Sequence, residues 1–301
     1  MASRSHAPVR VNAFLPKQQV LRVGVPHRGG RLCAEAWAND MPVMVSASAF
    51  WNRATGEFIE PPQSELEQCD VALDSAGFTA MAQWKRKGPQ AGMLGIYPWR
   101  LEQYVELAGL LRPSWWSQPD LCVEEPIAGD REARRYRIEA TAAMLEASLI
   151  LVDRWQQQGA FWQSPPVPVL QGWTVDEYCE SLDRMVDIYA RMARTFDQPV
   201  LVGVGSMCRR PVNDPEIGIL AILDGLLPRL PPGIRLHLFG IKGSALERLV
   251  KLPQIASFDS MAWDFAARVH SRKHGQPNTM DRRAATMHAW YARQSRVLAS
   301  A

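Results

Sequence analysis

A short run of Val, Ile and Leu recurs eight times along the chain, with polar loops and stretches of helical character between the runs. The runs are Val20–Val25, Val43–Ser48, Asp70–Leu73, Asp120–Val123, Val167–Leu170, Val200–Val204, Ile234–Phe239 and Ile255–Phe258. Short, near-continuous apolar runs are how strands buried on both faces read. Helical patterns fill the gaps at Leu101–Leu111, Asp130–Gln158, Val175–Phe196, Asp214–Leu227 and Ala245–Lys251. The third opens after Thr174 with Glu177 three residues on, the pattern of a capping box. Eight strands alternating with helices predict an α/β chain folded as a (β/α)8 TIM barrel rather than an open sheet. Residues 1–301 read as a single such domain, with a basic N-terminal extension over 1–19 and a basic C-terminal helical segment over 266–301.

The 301 residues suffice for a barrel of about 250 residues plus extensions. At 47% hydrophobic and 22% charged, the chain is neither disordered nor a disulfide scaffold. No apolar run reaches the ~18 residues of a membrane span, and the N-terminus lacks the apolar core of a secretory signal. The expected location is the cytoplasm, with five reduced cysteines and no CxxC motif. No GxGxxG follows a strand; Val202–Ser206 (VGVGS) is a partial match that runs into Cys208-Arg209-Arg210. Net charge is +3 but uneven. Residues 1–34 hold six Lys/Arg and no acid, and residues 268–296 hold seven Lys/Arg and one acid. Basic ends around an acidic body suit a polyanion such as nucleic acid, although solvated termini give the same pattern.

The carboxyl ends of the expected strands are unusually polar, and in a barrel chemistry sits there. They carry Asp74-Ser75-Ala76-Gly77-Phe78, Glu124-Glu125, Gln171-Gly172, Gly203-Val204-Gly205-Ser206, Phe239-Gly240 with Lys242, and Asp259-Ser260. Each has a plain alternative: an Asp after a strand can be a helix cap, and a Gly can simply make a turn. Their coincidence on one rim is what a polar heterocycle needs. Carboxylate and amide edges pair with it, bare backbone allows close approach, and Phe78 and Phe239 offer stacking faces.

These residues resemble a known family. Leu73–Phe78 (LDSAGF) is similar to the DSGGF motif of tRNA-guanine transglycosylases, and Leu170-Gln171-Gly172 to their VQGG strand end. His237–Gly240 (HLFG) resembles LMGVG, and Phe258-Asp259-Ser260 resembles FDC, in the family's order over roughly residues 18–265. The tRNA enzymes also carry a CxCxxC…H zinc site, whereas no cysteine follows Cys208 here. That loss, with VGVGSMCRR in place of IGGL, makes the chain most like the DNA 7-deazapurine transglycosylase branch.

The resemblance implies exchange of guanine in DNA for a 7-deazaguanine such as a preQ0-type base, with no zinc or other cofactor. Asp259 would be the nucleophile and Asp74 the group that assists proton transfer at the leaving nitrogen. Phe78, Glu124, Gln171, Gly172, Gly203, Val204, Phe239 and Gly240 would bind the base, with Glu125 or Asp120 as substitutes for Glu124. Arg209, Arg210 and Lys242, extended by Arg268, Arg272 and Lys273, are the candidate nucleic-acid contacts. His270 and His274 are four residues apart, a spacing that on a helix could bind a metal. The competing readings are a tRNA-acting enzyme, another carboxylate-pair glycosidase, and a binding paralogue without catalysis. Accessory modification proteins or a second copy of the chain remain open as partners.

Overall fold

The computed structural model describes residues 11–13, 15–61, 64–124 and 128–300. Eight parallel strands make one sheet in the order β6-β5-β2-β1-β10-β9-β8-β7. They are β1 (Val20–Val25), β2 (Val43–Ser46), β5 (Val71–Asp74), β6 (Trp115–Trp116), β7 (Val169–Leu170), β8 (Leu201–Val204), β9 (Arg235–Leu238) and β10 (Ile255–Ser260). A hairpin of β3 (Trp51–Asn52) and β4 (Glu57–Phe58) stands apart. The helices are α1 (Arg31–Ala38), α2 (Gly77–Lys87), α3 (Leu101–Leu111), α4 (Arg131–Gln157), α5 (Val175–Arg191), α6 (Ile219–Leu226), α7 (Leu246–Leu249), α8 (Ala262–Lys273) and α9 (Met280–Ala299).

The sheet curls until its edges meet, but the closed (β/α)8 barrel expected from the sequence is only approached. Between β6 and β7 there is one parallel bridge, Ser117 to Val167, instead of a ladder. It is held by Val167 N–H to the Trp116 carbonyl at 2.7 Å and Gln118 N–H to the Val167 carbonyl at 2.9 Å. The flanking residues explain the break. Pro119 on one side and Pro165, Pro166 and Pro168 on the other have no N–H to donate.

The strand expected at Asp120–Val123 is a second correction. That segment is irregular, and the fourth strand of the sheet is the earlier pair Trp115–Trp116. Its buried N–H groups go to side chains instead of a neighbouring strand. Asp120 N–H reaches the Tyr97 hydroxyl, Leu121 N–H the Thr141 hydroxyl and Val123 N–H the Ser206 hydroxyl. An apolar run with such partners can be buried without being a strand.

Alternation along the strands divides the apolar residues between two cores. Val43, Val45, Val71, Leu73, Trp116, Val202, Val204, Leu236 and Leu238 face the helices. Met44, Ala72, Trp115, Val167, Leu201 and Ala256 form a separate cluster inside the curl. Asn12, 1% exposed, plugs the lower end: its side chain donates to the Leu201 carbonyl and accepts from the Val200 and Leu201 N–H groups. Period-two geometry then fixes what reaches the upper rim. Asp74 follows Ala72 on the inner face of β5, and Asp259 stands opposite Arg22 in the β10–β1 register.

Two of the six cations in the basic N-terminal stretch are paired. Arg22 is 5% exposed inside the curl and grips Asp70 with two bonds of 3.0 Å. Arg31 bonds Glu35 and Asp281. Arg4 and Arg10 lie outside the described residues.

Candidate active site

The rim gathers three carboxylates, Asp74, Asp120 and Asp259, around the inner strand ends. Asp259, 8% exposed, is held through one oxygen. Its Oδ1 accepts the Gly240 N–H at 2.8 Å and lies 3.4 Å from His237 Nε2. No donor among the described residues meets Oδ2. Gly240 can take this post because its φ is 67° and because a Cβ there would come within 2.6 Å of Cys208 Cβ. His237 is fully buried below; its Nδ1 meets the Ser257 hydroxyl at 2.7 Å. Burial lowers its pKa and favours the neutral ring, and its Nε2 is buried without a hydrogen-bond partner among the described residues, with Asp259 Oδ1 the nearby carboxylate oxygen.

Asp74 ends β5, and its Oδ2 accepts the Ala76 N–H at 3.1 Å. Its pKa is pushed up to about 7, first by burial and then by the charges of Asp120 and Asp259. Asp120 is pushed up to about 6 by burial, against the bonds from Ser75 and Gln171. It is 9% exposed and enclosed by donors: the Ser75 hydroxyl at 2.8 Å on Oδ1 and the Gln171 amide on Oδ2. Gly77 makes that approach possible, since a Cβ there would stand 2.6 Å from the Asp120 carbonyl oxygen.

The raised Asp74 has a stability consequence. The folded chain keeps this proton up to about pH 7, whereas an unfolded Asp releases it near pH 4. Between those values the folded state binds more protons, so stability falls as pH rises through that window. Asp74→Asn should therefore raise the melting temperature, more at pH 8 than at pH 5. Equal shifts at both pH values in a thermal melt would show that Asp74 is not destabilised by its surroundings.

Gln171 is 1% exposed and fixed at both ends, with Nε2 on Asp120 and Oε1 accepting from the Ser206 hydroxyl at 2.7 Å. Glu124, 2% exposed, accepts from the Cys208 thiol at 2.9 Å on Oε1. Its other oxygen is buried with no hydrogen-bond partner among the described residues; the nearest cation is Arg209 Nε at 4.0 Å. Such an orphan acceptor is costly unless a ligand donates to it. Arg209 is exposed and lies 4.9 Å over the Phe78 ring, so the two cover Glu124 from the mouth. Glu125 lies outside the described residues.

Several expected base contacts have other duties. Gly172 gives its carbonyl to Arg210, and a Cβ there would strike the Tyr178 backbone N at 2.7 Å. Gly203 N–H is bonded to the Pro168 carbonyl, and the Val204 carbonyl accepts from Phe239 N–H. The Phe239 ring packs edge-on against His237 and Trp115 and needs the bare Gly203 beside it.

Among the expected phosphate contacts Arg210 requires correction. It is fully buried, and its guanidinium bonds the carbonyls of Gly172, Trp173, Ser206 and Ile217 at 2.7–2.8 Å. Four carbonyls with no other cation leave it no route to a phosphate. Lys242 is exposed, although its Nζ bonds the Arg210 carbonyl at 3.2 Å. Arg268, Arg272 and Lys273 are exposed on α8. The His270 and His274 rings lie 4.4 Å apart, but among the described residues no three His, Cys, Asp or Glu gather as metal ligands. Likewise no described helix is long and apolar enough to cross a membrane.

Sequence reasoning gave Asp120 only a substitute's place and overlooked His237 and Cys208. The signals were present: His237 alternates with Phe239 on an inner strand face, and Asp120 stands just before the glutamates that drew attention.

A curled sheet of eight parallel strands with carboxylates converging at its carboxyl ends defines a barrel-like α/β protein. Within that class the chain belongs to the DpdA family, deoxypurine in DNA protein A, whose family model matches residues 62–299. Membership agrees with the resemblance to the DNA-acting transglycosylases and implies a transglycosylase of DNA modification. A comparison with curated proteins finds no match to this chain.

Proposed function

We propose that this chain exchanges guanine in DNA for a 7-deazaguanine through a covalent aspartyl-glycosyl intermediate. The observation that carries the reading is the pairing of two unlike carboxylates on one inner face. Asp259 is oriented through Oδ1 with Oδ2 free, and Asp74 is poised to hold or release a proton near pH 7. Asp259 Oδ2 attacks C1′ of the target nucleotide as the C1′–N9 bond breaks, and the bond's electron pair leaves on the guanine. A proton from Asp74 neutralises that base. The incoming 7-deazaguanine returns a proton from its own N9 to Asp74, and N9 then attacks C1′ to release Asp259. Two inversions give retention at C1′, with no water consumed. Gly240 N–H holds the nucleophile with His237 Nε2 3.4 Å from the same oxygen, while the orphan Glu124 oxygen supplies an acceptor for the base's N–H donors.

Duplex DNA hides C1′ and the base edge, so the nucleotide must leave the stack first. The exposed Arg209, over Phe78 at the mouth, and the exposed Lys242 supply the phosphate contacts beside it in this reading. The test is incorporation of labelled guanine and of a 7-deazaguanine into DNA and tRNA of matched length, with mass spectrometry of the released nucleosides. Incorporation into DNA is expected; incorporation into tRNA alone would return the chain to the tRNA-acting enzymes. Hydrolysis of the glycosidic bond without exchange would favour the glycosidase reading.

A further inference from the structure

Helix α8 leaves the rim directly after the strand that carries Asp259, and it packs chiefly on α9. Its buried side is Trp263, Asp264, Ala267 and Ser271. That side is pinned: Trp263 Nε1 donates to the Gly24 carbonyl at 3.1 Å, and Asp264 pairs with Arg283 at 2.6 Å. The outer side carries an apolar stripe at helical spacing, Met261, Phe265 and Val269, exposed by 40%, 65% and 43%. Met261 lies against the rim, since a Cβ on Gly24 would collide with its side chain. Phe265 stands one turn, about 6 Å, farther out. Of the large apolar side chains exposed among the described residues, Phe265 is the most exposed.

The flanks of this stripe are cationic. Arg268, Arg272 and Lys273 are exposed beside it; the sole acid between residues 261 and 280, Asp264, is buried and pairs with Arg283 and with Arg268 through its Nε alone, at 3.1 Å. Two other exposed aromatics, both tryptophans, have the opposite setting, whereas Phe78 is already covered by Arg209. Trp37 lines a hollow with Glu65 and Glu67, and Trp162 lines one with Glu102 and Glu106, where a polyanion would be repelled. An apolar side chain flanked by cations, on a pinned helix beside Asp259, complements a DNA duplex and one of its base steps.

We infer that α8 docks on duplex DNA beside the target nucleotide and that Phe265 enters the stack where that nucleotide has left. The inference rests on the reading of Asp259 as the reacting group on DNA. Arg268, Arg272 and Lys273 hold the adjacent phosphates, and Phe265 replaces part of the stacking that extrusion forfeits. It is a positioning residue and takes no part in bond exchange.

Two measurements on wild type, Phe265→Ala and Phe265→Trp test this. The first is incorporation of labelled guanine into native plasmid DNA and into the same plasmid after heat denaturation, which offers every sequence context. Phe265→Ala should lose about 10- to 100-fold on native DNA and stay within about twofold on denatured DNA, with Phe265→Trp restoring most of the loss. Equal loss on both substrates, or no loss on native DNA, overturns the inference. The second needs no base exchange: closed circular plasmid is relaxed by a topoisomerase in the presence of each protein. Side-chain insertion unwinds the duplex, so wild type should shift the topoisomer distribution and Phe265→Ala should shift it much less at equal occupancy. An unshifted distribution with wild type overturns the wedge. A shift without base exchange on either DNA keeps the wedge and removes the transglycosylase reading.

Discussion

Asp259→Ala should abolish base exchange, by at least about a thousandfold, while leaving the melting temperature and DNA affinity nearly unchanged. The carboxylate occupies the inner face of β10, where its Oδ1 is tied to Gly240 N–H and its Oδ2 is free. Losing it deletes covalent catalysis but removes no contact among the helix-facing core residues and no exposed cation. The expected trace of the intermediate is a DNA–protein adduct that survives denaturing electrophoresis when guanine is released and no incoming base is supplied. Wild type should form it and Asp259→Ala should not. Exchange by the variant within about tenfold of wild type would remove Asp259 from the nucleophile's role and turn attention to Asp120 and Asp74. Asp259→Asn is the finer probe, because it keeps the shape and an acceptor for Gly240 N–H but gives up the charge.

The strands that carry these groups were readable because burial on both sides leaves a plain mark. Val20–Val25 and the run ending at Val204 have no other use for so many β-branched residues. Asp74, Gln171 and Asp259 were readable for a related reason: each is a polar residue terminating an apolar run. The failures have physical causes. At Asp120–Val123 an apolar run is buried by loop packing, its N–H groups satisfied by Tyr97, Thr141 and Ser206 from distant parts of the chain. Helix α2 was overlooked because its start, Ala76-Gly77, looks like a turn; Ala76 indeed takes a left-handed φ of 70° before the helix begins. Helix α8 follows so closely on the Asp259 strand that its first turn reads as loop. Charge misled in another way. A sequence shows that Arg209 and Arg210 are adjacent, but only the fold shows that one faces solvent and the other is enclosed.

That division sets the last expected result. Arg210→Ala should destabilise the protein by about 3–5 kcal/mol, the scale of several buried acceptors orphaned at about 1–3 kcal/mol each, whereas Arg209→Ala should stay within about 0.5 kcal/mol. The buried guanidinium draws together the carbonyls of Gly172, Trp173, Ser206 and Ile217, from the loops after β7 and β8 and before α6. It also lies 4.2 Å from the Trp173 ring centroid, under which it stacks. Removing it orphans four acceptors and opens a void in the loops that position Gln171 and Ser206. Arg210→Lys should recover little, because one ammonium cannot reach four carbonyls arranged around a planar fork. Urea unfolding measures these changes. Arg209→Ala should instead weaken DNA binding and flatten its dependence on salt by roughly one unit, as loss of one phosphate contact requires. An unchanged urea midpoint for Arg210→Ala, together with a reduced salt slope, would place Arg210 on the DNA and dismantle the enclosure described for it.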